Sequence, residues 1–91
     1  MGVTVYIFTM NSCGYCSNLK KNLSEISIPY TEIEISHNKN IWDQVVEQTG
    51  HNVLPTVFIK KDDSEDGPVY VPGRDYQTES EIVEIIKNYF N

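Results

Sequence analysis

Basic residues, cysteines and long apolar runs are all scarce in this chain of 91 residues. Seven Lys and Arg against thirteen Asp and Glu give a formal net charge of −6, whereas a nucleic-acid-binding domain normally carries a basic patch. No apolar run approaches the ~20 residues of a membrane-spanning helix, and the N-terminus lacks the pattern of a secretory signal. We therefore expect one soluble domain over residues 1–91, in the cytoplasm, with neither a nucleic acid nor a membrane as partner.

The hydrophobic pattern predicts an α/β protein with the element order βαβαββα. Predicted strands occupy 2–9, 30–36, 56–60 and 69–71, and predicted helices begin near 13, 38 and 78. The first β-α-β crossover should be right-handed and parallel, and the last two strands should form a hairpin. We therefore predict a four-stranded mixed sheet with helices on both faces, an architecture that resembles the thioredoxin-like fold.

The two cysteines, Cys13 and Cys16, stand in the stretch TMNSCGYCSNLKKNL, where the first strand gives way to the first helix. A structural disulfide across so short a loop would contribute only roughly 2 kcal/mol, less than a bridge between distant segments. A zinc site would also need His37 and His51. These histidines flank one predicted helix and are too far apart to converge, so we expect no metal at the pair.

The position of the pair favours redox chemistry instead. Cys13 at a helix N-terminus would meet unpaired backbone N–H groups and the positive end of the helix dipole, and both lower its pKa from about 8.5. The thiolate is the nucleophile of disulfide exchange. Cys16, one turn into the helix and facing the core, is placed to resolve a mixed disulfide on Cys13. Lys20 and Lys21 either add to the local positive potential or lie on the solvated helix surface.

Over nearly its whole length the chain resembles a glutaredoxin of the dithiol class. FTMNSCGYC is similar to the family's passage into its Cys-Pro-Tyr-Cys motif, with Tyr15 matching the family's Tyr. TGHNVLPTVFI resembles the segment Thr-Gly…Thr-Val-Pro-x-Val-Phe-Ile, and VPGRD resembles the Gly-Gly-x-x-Asp turn before the last helix. The combination of these three segments, in this order, is much more specific than a Cys-x-x-Cys motif alone.

The resemblance implies a glutathione-dependent thiol–disulfide oxidoreductase. Such an enzyme would reduce protein disulfides and glutathione mixed disulfides through a Cys13–Cys16 redox couple, with glutathione as reductant. Its partners would be glutathione and disulfide-containing proteins, ribonucleotide reductase among them, and we expect it to be a monomer.

The same resemblance assigns a glutathione site, of which Tyr15 would be part. A cis Leu54–Pro55 bond would present the Leu54 backbone to the cysteine moiety of glutathione, as a strand pairs with a sheet edge. Beyond Gly73, the backbone N–H groups of Arg74 and Asp75 would hold the γ-glutamyl carboxylate. The Asp75 side chain would accept from the γ-glutamyl ammonium group.

Four positions depart from the family pattern. Gly14 replaces the usual Pro inside the motif, and Pro72 replaces the first Gly of the turn. Met10 stands where many members carry Lys, and Trp42 stands where a Gln, Lys or Arg often reaches the glycine carboxylate of glutathione. Because Met10 and Trp42 lack the polar groups of the family, an alternative function stays open: the protein would be a hydrogen donor of similar fold that is recharged by thioredoxin reductase.

Gly14 opens a second alternative. Glutaredoxins with a small residue at this position include members that dimerise around a 2Fe–2S cluster, held by the first Cys of each subunit and two glutathione thiols. Glycine would loosen the turn and let Cys13 face outward. A cluster-carrying dimer therefore remains an alternative to the monomeric enzyme.

Overall fold

A computed structural model of the chain describes residues 2–90. The secondary structure in this range is β1 (Val3–Thr9), α1 (Gly14–Glu25), β2 (Thr31–Glu34), a 3₁₀ turn (Ile35–His37), α2 (Lys39–Thr49), β3 (Thr56–Lys61), β4 (Val69–Tyr70) and α3 (Glu79–Asn88). The predicted order βαβαββα is confirmed. The prediction of a single domain over residues 1–91 includes Met1 and Asn91, which lie outside the described residues, and it stays a prediction. Between residues 2 and 90, the structure has no helix long and apolar enough to cross a membrane.

The strands form one mixed sheet in the order β2-β1-β3-β4. β1 pairs in parallel with β2 and antiparallel with β3, and β3 and β4 form the predicted antiparallel hairpin. A parallel pair requires a crossover connection, and α1 provides it. Because β1 has a neighbour on each side, its Val5, Ile7 and Phe8 are almost fully buried, as its apolar pattern predicts.

Helices cover both faces of the sheet, as predicted. On one face, α1 and α3 pack on the sheet around a core cluster of Val5, Ile7, Leu19, Leu23, Val57, Ile59, Tyr76, Ile82 and Ile86. On the other face, the ring of Trp42 from α2 packs on Phe8 of β1 with centroids 5.4 Å apart. Each large side chain buried in this way stabilises the fold by about 1.5–3 kcal/mol, so packing rather than helix propensity holds these short helices.

Two helix boundaries have clear local causes. Thr78 Oγ1 accepts a hydrogen bond from the Glu81 N–H at 3.2 Å, and the Glu81 carboxylate accepts from the Thr78 N–H at 2.9 Å. The Thr-x-x-Glu pattern at residues 78–81 predicts such a capping box, and these two hydrogen bonds confirm it at the N-terminus of α3. α2 ends at Gly50, whose φ of +73° lies in the left-handed region that favours glycine.

Two local predictions are wrong. β2 ends at residue 34 rather than 36, because the Glu34 carboxylate accepts from the backbone N–H groups of Ser36 and His37 at 2.9 and 3.2 Å. These bonds bend the chain into the 3₁₀ turn, so Ile35 does not continue the strand. Ile26 continues the helical spacing of the apolar residues in α1, which predicts a buried position, but it is 44% exposed because the helix ends one residue before it.

Candidate active site

The two cysteines lie where β1 passes into α1, and a disulfide joins them. Cys13 is the N-cap residue of α1, and its Sγ accepts a hydrogen bond from the Cys16 backbone N–H at 3.1 Å. The Cys13 N–H donates to the Met10 carbonyl at 3.2 Å, which fixes the loop before the helix. The first turn of α1 contains no acidic residue. The positive end of the helix therefore acts directly on the Cys13 sulfur.

The two cysteines differ in exposure. Cys16 is 1% exposed, whereas Cys13 is only partly buried. A substrate in solution can therefore reach Cys13 but not Cys16 without a rearrangement. This geometry fits attack by Cys13 and resolution by Cys16, and these roles stay predictions.

A groove of about 700 Å³ opens at this end of the sheet. Tyr15 from α1, Leu54 and Pro55 from the segment before β3, and Gly73 from the turn after β4 contribute to its lining. Tyr15 is 76% exposed. The fold thus brings together four of the site residues predicted from sequence, although they lie far apart along the chain.

Two buried hydroxyl groups hold the segment that carries Leu54 and Pro55. The Leu54–Pro55 bond is cis, as predicted. Thr56 Oγ1 donates to the Val53 carbonyl at 2.7 Å, and the Tyr76 hydroxyl donates to the Pro55 carbonyl. Burial raises the pKa of Tyr76, so its hydroxyl stays protonated and remains a donor. Sequence analysis missed both hydroxyls, and their only signal was their position next to predicted site residues.

The turn at residues 71–75 differs from the predicted anion site. The N–H groups of Arg74 and Asp75 both donate to the Val71 carbonyl, at 3.1 and 2.8 Å. Pro72 and Gly73 occupy the centre of this turn, and the Gly73 φ of +86° is that of a type II turn. Neither N–H group is therefore open to a ligand carboxylate in this structure.

The Asp75 carboxylate is also engaged within the turn. It accepts from Arg74 Nε at 2.9 Å and from the Val71 N–H at 2.7 Å. The Arg74 hydrogen bond is the main cause of the lowered Asp75 pKa. Arg74 and Asp75 do not line the groove, so the structure separates them from the other four predicted residues.

The Lys20 ammonium does not act as a free positive charge near the cysteines. Its Nζ pairs with Glu32 Oε2 at 2.8 Å, and Thr9 Oγ1 donates to the same oxygen at 2.6 Å. These two hydrogen bonds, that of Lys20 first, lower the pKa of Glu32. The end of α1, whose first turn contains no acidic residue, remains a source of positive potential at Cys13.

The geometry of the described residues supports neither a zinc site nor a 2Fe–2S cluster. In the part of the chain that the structure describes, no three His, Cys, Asp or Glu side chains lie close enough to hold a metal ion. The 2Fe–2S alternative needs a second chain and two glutathione thiols, and no feature of residues 2–90 supports it. At Gly14 an added Cβ would meet no atom within 4 Å, so the position has room for a side chain.

Sequence comparison finds glutaredoxins. The glutaredoxin family model matches residues 5–63. The chain is 33% identical over 58 residues to a glutaredoxin from Ricinus communis, a match that covers 60% of this chain and 57% of that protein. It is 32% identical over 59 residues to glutaredoxin-C1 from Arabidopsis thaliana, covering 62% of this chain and 47% of that protein. The chain thus matches about half the length of these relatives.

Structure comparison finds the same fold. A Halobacterium salinarum thioredoxin mutant superposes with a TM-score of 0.65 at 19% identity, over 98% of this chain and 75% of that one. A buckwheat glutaredoxin in complex with glutathione superposes with a TM-score of 0.53 at 30% identity, over 59% of this chain and 52% of that one. The fold is therefore thioredoxin-like. Because the glutaredoxin family model matches residues 5–63, well over half of the sequence, this chain belongs to the glutaredoxin family.

Proposed function

We propose that the protein is a glutathione-dependent thiol–disulfide oxidoreductase of the cytoplasm that reduces protein disulfides and glutathione mixed disulfides. The observation that carries the proposal is the position of Cys13. Its sulfur caps α1, is partly exposed, and lies one turn above the buried Cys16. That arrangement favours a thiolate at the residue a substrate can reach.

The first step is attack by the Cys13 thiolate on a substrate disulfide. When the substrate is a glutathionylated protein, Cys13 attacks the glutathionyl sulfur. A bond forms between that sulfur and Cys13, the substrate S–S bond breaks, and the protein thiolate leaves and takes up a proton. The hydrogen bond from the Cys16 N–H and the end of α1 stabilise the attacking charge.

The second step has two routes. A glutathione thiolate can attack the glutathionyl sulfur on Cys13, which yields glutathione disulfide and frees Cys13. When the substrate is a protein disulfide, Cys16 instead attacks the Cys13 sulfur, releases the second substrate thiol and closes the Cys13–Cys16 disulfide. Two glutathione molecules then reduce that disulfide and become glutathione disulfide.

Glutathione would lie in the groove beside Tyr15, with its cysteine moiety against Leu54 and its γ-glutamyl end toward Gly73. Within residues 2–90, neither the N–H nor the C=O of Leu54 has a hydrogen-bond partner, so both can pair with an extended ligand. The complex of glutathione with the buckwheat relative supports the same ligand here. For Asp75 to accept from the ligand ammonium, its carboxylate would have to share or release Arg74.

The test is turnover of a small mixed disulfide with NADPH under two recharging systems. One contains glutathione and glutathione reductase, and the other contains thioredoxin reductase alone. We expect NADPH oxidation in the first and none in the second, with Cys13→Ser as the inactive control. Activity with thioredoxin reductase alone would contradict glutathione dependence while keeping the disulfide chemistry.

A second candidate is a hydrogen donor recharged by thioredoxin reductase, with ribonucleotide reductase as a substrate to test. The closed turn favours it, because the N–H groups of Arg74 and Asp75 are engaged with the Val71 carbonyl. Apolar Met10 and Trp42 favour it as well, since they offer no cation to a glutathione carboxylate. The same pair of assays separates the two candidates.

A further inference from the structure

A second cleft, of about 430 Å³, begins three residues before Cys13 and shares no lining residue with the groove. Met10, Ile35 and Trp42 form its apolar part, and Glu34, Lys39 and Asp43 are its charged lining residues. Most of the surface that it exposes is carbon. We call it the Met10 cleft.

Neighbouring residues hold the apolar part of the Met10 cleft in place. Trp42 is 6% exposed, its ring packs on Phe8, and its Nε1 donates to Asn52 Oδ1 at 3.2 Å. Met10 is 43% exposed, and its carbonyl accepts the Cys13 N–H. The cleft therefore has a fixed aromatic side and an accessible thioether, and it is continuous with the backbone that carries the reactive cysteine.

The charges of the Met10 cleft disfavour an anionic ligand. Its lining residues include two carboxylates, Glu34 and Asp43, and one ammonium, that of Lys39. Lys39 Nζ already pairs with Asp43 at 3.0 Å. A hydrogen bond from the Ser36 hydroxyl is the main cause of the lowered Glu34 pKa, so Glu34 is ionised at neutral pH. A ligand carboxylate would lose hydration and meet like charges without a free cation.

We propose that the Met10 cleft binds an uncharged apolar side chain next to the reacting cysteine of a polypeptide disulfide, and thereby selects protein substrates. The inference rests on the proposed function, because Cys13 must exchange disulfides with the polypeptide. Burying an apolar side chain against Met10, Ile35 and Trp42 removes carbon surface from water on both partners. The cleft is lined by the three residues that precede Cys13, and the Met10 carbonyl lies 3.2 Å from the Cys13 backbone nitrogen. Successive residues of an extended peptide lie about 3.4 Å apart, so a residue beside the reacting cysteine is within reach of this cleft.

The test uses the reduced protein in single turnover without glutathione. Two peptide disulfides are compared, identical except that the positions beside the cysteine are Leu in one and Glu in the other. Cys13 attacks one peptide sulfur and releases the other peptide as a thiol. Cys16 then displaces the bound peptide, so one peptide disulfide is reduced for each dithiol oxidised. Released thiol is quantified after acid quench, and each rate is divided by the rate of the same peptide with dithiothreitol.

We expect the normalised rate with the Leu peptide to exceed that with the Glu peptide by about tenfold, the size of effect that a small apolar contact produces. In Met10→Lys the ratio should fall toward one, because the new ammonium group attracts the Glu carboxylate and makes the cleft less favourable for the Leu side chain. Ile26→Lys is the matched control, since it adds the same charge at a residue of nearly equal exposure at the far end of α1. In that variant the ratio should stay unchanged. Both peptides are measured on one preparation, so the ratio does not depend on the folded fraction.

Equal normalised rates for the two peptides in the wild type would overturn the inference, and so would an equal fall of the ratio in both variants. A wild-type dimer on size exclusion that Met10→Lys dissociates would assign the cleft to a second copy instead. If neither peptide exchanges, the proposed disulfide chemistry fails together with the inference. If the Leu preference is found but glutathione reductase does not support turnover, the inference stands and glutathione dependence fails.

Discussion

The N-termini of α1 and α3 share one capping geometry and differ in charge. In α1, Cys13 Sγ accepts from the N–H three residues on at 3.1 Å, and in α3, Thr78 Oγ1 does the same at 3.2 Å. The first turn of α3 carries Glu79 and Glu81, and the Glu81 carboxylate accepts two further backbone N–H groups. The first turn of α1 carries no acidic residue.

This difference separates stability from reactivity. In α3 the carboxylates neutralise the positive end of the helix, so this cap stabilises the helix. In α1 the same end has no counter-charge from its own first turn, and the atom that meets it is a sulfur that can ionise. An N-cap residue with an oxygen acceptor and neighbouring carboxylates stabilises the helix. With a sulfur acceptor and no carboxylate in the first turn, the same capping geometry stabilises a thiolate.

Removing the sulfur from α1 should have the largest effect. Cys13→Ser keeps an N-cap acceptor, since Ser is a preferred N-cap residue, so the fold should persist. Turnover of a mixed disulfide should fall by at least about a thousandfold, as when the nucleophile of other enzymes is removed. Circular dichroism checks the fold. Retained turnover in a folded Cys13→Ser protein would show that the nucleophile is assigned wrongly.

Removing the buried sulfur should have a selective effect. Cys16→Ser keeps the exposed Cys13 and leaves the route in which glutathione resolves the mixed disulfide. We expect retained turnover of glutathionylated peptides and loss of turnover for protein disulfides, with both substrates measured on one preparation. Equal loss on both substrates would mean that Cys16 does more than resolve, and equal retention would mean that it is not needed to resolve.

Giving α1 the charge of α3 should have a moderate effect. Gly14 and Glu79 occupy the same first helical position after the cap, and a side chain at Gly14 meets open space. Gly14→Glu should raise the Cys13 pKa by about half a unit, from the size of helix-terminus charge effects. The pH dependence of iodoacetamide alkylation, in the Cys16→Ser background, measures the shift. Gly14→Gln is the uncharged control, and equal behaviour of the two variants would argue against an electrostatic cause.

Removing the cap of α3 should affect stability and spare the thiol. Thr78→Ala should cost about 1 kcal/mol of unfolding free energy, which lowers the melting temperature of a domain of this size by about 4–8 °C. The rate at which iodoacetamide alkylates Cys13 should be unchanged. A changed alkylation rate would show that the two helix ends are coupled.

The smallest effect concerns the pH dependence of the α3 cap. Backbone hydrogen bonds from Gln77 and Thr78 lower the pKa of Glu81 below its usual 4.5. A carboxylate with a lowered folded-state pKa contributes stability above its unfolded pKa and loses it as the pH falls through the folded value. Wild type should therefore be slightly more stable than Glu81→Gln at neutral pH, and denaturant titrations should show the difference disappearing in acid. A difference that persists in acid would have another cause.

Sequence was sufficient for the fold and for the placement of the reactive cysteine. The apolar pattern of β1, the periodicity of α1 and the capping box of α3 are local signals, and each produced the expected element. The position of Cys13 at the N-terminus of α1 follows from the point at which the strand pattern changes into a helical one. The cis Leu54–Pro55 bond followed from family resemblance rather than from any local pattern.

Contacts between distant or competing groups were not predictable in this way. The Tyr76 hydroxyl reaches a carbonyl 21 residues away, and nothing in the local sequence indicates that contact. Pro72 and Gly73 favour a turn that turns the N–H groups of Arg74 and Asp75 inward to the Val71 carbonyl. In each case a polar group could bond to several partners, and the local sequence does not indicate which one it takes.

The most direct test of the account is a titration of the Cys13 thiol. Thiolate absorbance is followed against pH in the Cys16→Ser protein, where Cys13 is the remaining cysteine. Because the end of α1 meets the Cys13 sulfur without a counter-charge, we predict a pKa clearly below the free-cysteine value of about 8.5. A pKa at or above that value would show that the helix end does not favour the thiolate and would contradict the account.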